Sequence, residues 1–406
     1  MQRRDLSKAL LFASASGAAG LTQTAQAQTC NPPCYPVIAG ENAANVFQTQ
    51  YPPGDIRRYF GGETDWTAAL ARLCDVWKHG LACFIPAGTY PYTTSPQWFV
   101  LKDPSCGTSG HSACVALQLT GERGAILQHT GSGPAFTISS AGNGATCVPV
   151  SISNIIISGN ANTTDGFYAQ GVNHSYFRMI EVRNCTGKAF NIRFGVGNQF
   201  DTCFFSTNVF PSTINPAQGF CLDHDGNPGY YTTTCTFTNC VAEGFLGMIG
   251  CEIAKGSSNM FLGCSFEAVG IGVNIDNASM NNKFDTCWFE ANALADVRIL
   301  GGLDGAGHDV FSVGNAFINC NSISTPTDSG NAVPNISIAK GQATLFQGGF
   351  LRWVSLQSVS RDTLFLGTVF SNATGLGITG VGSYKMIGGT KADTSGFVTT
   401  TLANVP

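Results

Sequence analysis

Between residues 198 and 323 short apolar runs alternate with polar corners, and the runs repeat one another. NMFLGCSFE (259–267) returns as NKFDTCWFE (282–290), with weaker copies at NQFDTCFFS (198–206), TCTFTNCVAE (234–243) and NAFINCNSI (315–323). The cysteines of the two best copies are 23 residues apart. Runs of about eight residues rich in Phe, Cys and Thr, bounded by Asn and Gly, are strand material rather than helix. A strand-forming repeat this short predicts a solenoid, each copy being one turn of a parallel β-helix.

In such a solenoid equivalent residues of successive coils stack at roughly 4.8 Å, the spacing of paired strands. Cys185, Cys203, Cys240, Cys264, Cys287 and Cys320 are expected to form one inward column, because a small apolar thiol fits an interior stack. Asn198, Asn259, Asn282 and Asn315 form a second column at a turn, where Asn tolerates left-handed backbone and its amide can bond to the next Asn. The two-residue strand period then turns Phe205, Phe266 and Phe289 inward. It turns Glu243, Glu267 and Glu290 outward, onto one face.

Strand patterns continue on both sides: VALQLTGERGAILQH (115–129), AFTIS (135–139), VSISNIIISG (150–159) and FRMIEVRNC (177–185) precede the clear repeats. ATLFQGGFL (343–351), DTLFLGTVF (362–370) and SYKMIGG (383–389) follow them without Cys or Glu. Ahead of all these, Thr64, Asp65 and Thr67 precede an amphipathic helix over 68–77, and Phe84-Ile85-Pro86-Ala87-Gly88-Thr89-Tyr90 read as strand and turn. The stretch 54–96 resembles the opening of the pectate lyase superfamily, the pectin lyase-like and polygalacturonase-like proteins. That resemblance implies an all-β, right-handed parallel β-helix with a short N-terminal capping helix, and carbohydrate-active chemistry. A helical cap also covers strand edges that an open solenoid end would expose. Phe60-Gly61-Gly62-Glu63 replaces the family's usual Gly-Asp-Gly and paired aspartates, and the polygalacturonase catalytic motifs are absent, so the resemblance transfers no catalytic residue.

Composition narrows the function. Only 11% of the 406 residues are charged, against about 25% in an average globular protein. The net charge is −4 with no basic run, which argues against nucleic acid and suits a neutral or weakly charged polymer. Residues 1–27 read as a leader resembling a bacterial twin-arginine signal: Arg3-Arg4, an apolar stretch from Ala9, and Ala25-Gln26-Ala27 as cleavage site. Residues 28–53 read as an irregular segment and 54–406 as one β-helix domain. No later segment holds the ~20 apolar residues of a membrane span. An exported protein, periplasmic or secreted, is therefore expected. Among its 16 cysteines, Cys30/Cys34, Cys74/Cys83 and Cys106/Cys114 are close enough in sequence for local disulfides in an oxidising compartment. The column cysteines are expected as free thiols without a metal, since no repeat supplies a His or second Cys at ligand spacing.

The candidate chemistry lies in the acids. Glu267 and Glu290 are expected on neighbouring rungs, about 5 Å apart, and Glu243 and Glu290 two rungs apart at about 9 to 10 Å. Those separations approach the carboxylate spacings of retaining and inverting glycosidases. Asp223 and Asp225, one residue apart in a loop, form a second constellation that could act as acid and base or hold Ca²⁺. Trp288, Tyr230 and Tyr231 flank the acids and suit stacking on sugar rings, or equally packing, with Lys255 and Arg298 as the nearby cations. The bland alternative is that the glutamates cap turns, pair with Lys283 or Arg298, or are solvated, and that the aspartates shape a turn. The resulting expectation is an exported glycoside hydrolase acting on a polysaccharide, with a polysaccharide lyase using Lys255 or Arg298 as base, or a non-catalytic glycan-binding protein, as alternatives. No cofactor is required, and the resemblance admits a homotrimer packed side by side.

Overall fold

The computed structural model describes residues 35–41, 44–100, 117–140, 149–207, 214–224, 231–303, 306–328, 330–371, 378–380, 382–393 and 396–400. The leader and the pairs Cys30/Cys34 and Cys106/Cys114 lie outside these residues. The rest winds into a right-handed parallel β-helix capped by one α-helix. Each coil makes three short strands; in one coil they are Met260–Leu262, Ser265–Glu267 and Ile271–Asp276. The first two strand positions merge into a 23-stranded sheet bent along its length, and the third builds a separate 12-stranded sheet.

The bend has a backbone cause. At the corner between the first two strands, Thr202, Asn239, Gly263, Thr286 and Asn319 all take left-handed backbone, with φ between 51 and 59°. The residue after each turns inward, giving the thiol column Cys203, Cys240, Cys264, Cys287 and Cys320, all buried. Every thiol in it donates to the carbonyl of a phenylalanine in the preceding coil, at 3.4–3.5 Å. Those phenylalanines belong to a stack of eight, Phe177, Phe200, Phe237, Phe261, Phe284, Phe317, Phe346 and Phe365, with ring centroids 4.5–5.2 Å apart. Phe205, Phe266 and Phe289 face inward as well.

Two columns differ from expectation. Phe204 pairs with Glu181, so Ile180 and not Cys185 stands beside Cys203. Strand Tyr176–Arg183 makes the same corner, with Met179 left-handed at φ 50°, but the inward residue after it is Ile180; Cys185 follows the next left-handed residue, Asn184, and is buried there. The asparagines do bond to one another: Asn259 Nδ2 donates to Asn282 Oδ1 at 3.0 Å, and Asn282 Nδ2 to Asn315 Oδ1 at 3.1 Å. Yet the left-handed residue at that corner is the one before, such as Ser258 or Asn281. The asparagines therefore supply amides to satisfy buried backbone rather than a strained conformation.

The cap is helix Thr67–Lys78. Asp65 Oδ1 accepts from Thr67 N at 3.0 Å and its Oδ2 from Thr93 Oγ1 at 3.1 Å, tying the helix start to the first coil. Leu70, Leu73, Val76 and Trp77 close the end of the core, with the Trp77 ring edge-on to Trp98 at 5.2 Å. Cys74 and Cys83 are free and buried, not bridged. All eleven described cysteines are free, and burial pushes the thiols of Cys185, Cys221 and Cys235 up to about 12. Such thiols carry almost no thiolate at pH 8. Because all eleven are buried out of reach of the reagent, alkylation of the native protein at pH 8 is expected to leave them unmodified, and the same reagent in guanidinium to modify them, as read by peptide mass.

Candidate functional site

The outer face of the second strand position carries the expected glutamate column. Glu243 pairs in register with Glu267, and Glu267 with Glu290. Ser206 Oγ donates to Glu243 and Ser265 Oγ to Glu267, while Trp288 Nε1 donates to Glu290 Oε2 at 2.9 Å. Trp288, 38% exposed, lies two residues from Glu290 and so on the same face. Lys283 pairs with Asp285 at 2.9 Å and Arg298 bonds elsewhere, so neither serves the column. The glutamates are held by neutral donors on an open surface.

The other expected site residues lie on a different face, the outside of the 12-stranded sheet. Its register aligns Cys221, Glu252, Asn274 and Arg298 on successive coils. Phe220, Leu222, Cys251, Ile253, Val273 and Ile275 point into the core between them, so these polar side chains face out. Glu252 is nevertheless buried. Asn274 Nδ2 donates to both its oxygens, at 2.9 and 3.0 Å, and Arg298 Nε donates to Asn274 Oδ1 at 2.7 Å. Burial raises the Glu252 carboxyl to about 7, Asp276 pushes it the same way, and the Asn274 bond, Arg298 and Lys188 pull against them.

Asp223 and Asp276 end their strands two rungs apart, about 10 Å, with the small Ala254 between them. Lys188 Nζ stands 4.0 Å from Asp223 Oδ2. Each aspartate is one rung and two residues from Glu252, a diagonal of about 8 Å. Immediately beyond the strand ends opens a cavity of about 310 Å³, lined by His224, Tyr231, Lys255, Asn277, Leu303 and Val310 among others. Lys255 Nζ lies 5.2 Å over the Tyr231 ring and makes no ion pair among the described residues. This face thus unites Asp223, Tyr231, Lys255 and Arg298, and separates them from Trp288 and the glutamates. Asp225 and Tyr230 lie outside the described residues. No group of three potential ligands able to hold a metal ion occurs among the described residues.

Glu252 and Asp276 escaped the sequence reading. Their column changes residue type at every rung, unlike the Cys, Asn and Glu columns. The usable signal was positional: Glu252, Asn274 and Arg298 recur 22 and 24 residues apart, the period of the repeats themselves.

No family model matches this chain, and no curated protein does. Among solved structures, the chain is similar to ORF18 of Geobacillus virus E2 at 13% identity and a TM-score of 0.46, over 83% of this chain and 61% of that one. The Streptococcus pneumoniae surface protein and adhesin PfbA is 12% identical with a TM-score of 0.48, over 80% of this chain and 99% of that one. The A-module of the Azotobacter vinelandii mannuronan C-5 epimerase AlgE6 is 15% identical with a TM-score of 0.48, over 84% and 99%. At these identities none of the likenesses transfers a residue to the site.

Proposed function

We propose that the protein is an exported glycoside hydrolase that cleaves a polysaccharide laid across the outer face of the 12-stranded sheet. The observation carrying this reading is the buried Glu252 with a pKa of about 7, set diagonally from Asp276 and Asp223 beside an open cavity. A carboxyl protonated near neutrality is what a glycosidic general acid must be. A spacing of about 8 Å falls in the range that leaves room for a water. Glu252 gives its proton to the glycosidic oxygen as that bond breaks. Asp276 takes a proton from the water attacking the anomeric carbon from the opposite face, so the product has inverted configuration. Asp223, Tyr231 and Lys255 line the path of the sugar.

The Glu267/Glu290 pair, on neighbouring rungs beside the exposed Trp288, supports a second reading with catalysis on that face. The test is to incubate the purified protein with neutral and acidic bacterial and plant polysaccharides, following reducing ends and near-ultraviolet absorbance together. Reducing ends that vanish in Glu252→Gln and persist in Glu267→Gln/Glu290→Gln are expected, with inverted product by NMR. The opposite pattern moves the site to the glutamate column. An ultraviolet-absorbing product makes the protein a lyase with Lys255 as the base, and binding without product makes it a glycan-binding protein.

A further inference from the structure

Asn274 stands between Glu252 and Arg298, its Nδ2 on the carboxyl and its Oδ1 on the guanidinium. An amide has one acceptor end and one donor end, and Arg298 can only donate. The guanidinium therefore fixes which way the amide points, and the donor end must meet Glu252. We propose that Asn274, oriented by Arg298, is a positioning residue that aims the Glu252 carboxyl and keeps the guanidinium off it. The role rests on the reading of Glu252 as general acid. A direct Arg–carboxylate contact is charge-assisted and roughly twice as strong as a neutral hydrogen bond. It would hold Glu252 as a carboxylate with no proton to give. The spacer keeps the positive charge near enough to order the site and too far to ionise the acid.

The charged groups around Glu252 come from both sides of the stack. Lys188 and Asp223 lie on earlier coils, Asp276 and Arg298 on later ones, and Lys255 and His224 line the cavity beyond. Removing the spacer frees the Arg298 side chain to cross the vacated rung, so the two halves of the relay should move Glu252 in opposite directions.

The experiment follows the Glu252 carboxyl by NMR titration of the full chain labelled with ¹³C-carboxyl glutamate, the resonance being assigned by its loss in Glu252→Gln. Asn274→Ala loses a bond that itself favours the carboxylate, but the direct Arg298 contact it admits is expected to outweigh that loss and lower the Glu252 midpoint by one pH unit or more, a tenfold shift in proton affinity. Arg298→Gln is expected to raise it, and the double variant to lose the lowering seen in Asn274→Ala. A midpoint in Asn274→Ala that stays or rises overturns the proposal. Should that variant fail to fold, Arg298→Gln alone decides: an unmoved or lowered midpoint is the overturning result. The titration needs no substrate. Opposite shifts without any glycan cleavage would sustain the relay and sink the hydrolase, whereas cleavage with unmoved midpoints would do the reverse. In an active enzyme the fall of kcat/KM at high pH moves to lower pH in Asn274→Ala, which a purely structural residue would not cause.

Discussion

Glu252→Gln is expected to lower turnover by about 10²–10⁴-fold, the range carried by a positioned general acid, while making the folded protein more stable above pH 7. The two effects have one cause. Burial raises the carboxyl from its ordinary 4.5 to about 7, so the folded state favours its neutral form. That stabilisation is complete below about pH 4.5 and is lost as pH rises through 7, where the folded protein must hold a buried carboxylate. Linkage puts the loss at about 3 kcal/mol between those limits. Glutamine keeps the shape and the neutral state and has nothing to ionise. Melting curves of the two proteins should nearly coincide at pH 5 and separate by pH 8, with the variant higher. A variant that melts lower at pH 8 would show that Glu252 is not strained there. Conversely, unchanged turnover on a cleaved glycan would remove it from the chemistry.

The same stacking that hid Glu252 made the core legible. Inside the solenoid each position meets its own copy one rung away, so selection for packing writes the same residue repeatedly. Phe261 over Phe284, Cys264 over Cys287 and Asn259 over Asn282 are read directly as a 23-residue period. The outer face of the 12-stranded sheet meets solvent or ligand and carries no such demand, although the glutamate column on the other outer face does repeat. The column on the 12-stranded sheet runs Cys221, Glu252, Asn274, Arg298, legible in the sequence only as a spacing of 22 and 24 residues between the last three and not as a repeated residue type. Cys185 shows the limit of reading columns by residue type, since it follows a different corner of its coil, after Asn184, while Ile180 holds the place beside Cys203. Trp288 and Tyr231 show another limit. The repeat fixes how coils stack but not how far around the coil a residue lies, and the two aromatics belong to different faces.

Arg58→Met is expected to cost about 3–5 kcal/mol and to loosen the amino-terminal segment 35–60, because it strands a charge in the cap. Arg58 and Glu41 are both completely buried, with Arg58 Nε 2.7 Å from Glu41 Oε1. Tyr59 OH donates to the same carboxylate oxygen at 2.7 Å, and the guanidinium also reaches Tyr51 O at 2.8 Å and Pro36 O at 2.9 Å. One side chain thus pins two separate lengths of irregular chain to the start of the β-helix. Burial alone would raise the Glu41 carboxyl. The bonds from Arg58, Tyr59 and Ile38 N, with the charge of Arg58, outweigh it and hold the group below its ordinary 4.5. A depressed acid stabilises the fold above its unfolded pKa, so this contribution fades as pH drops below about 4.5 towards the folded value. The cap should therefore become protease-sensitive in acid before the coils do, and Arg58→Met should show that sensitivity at pH 7. Replacing both partners, Glu41→Leu with Arg58→Met, leaves no orphaned charge and should recover most of the loss. A double variant no more stable than the single one would mean that the carbonyl contacts, rather than the ion pair, hold the cap in place.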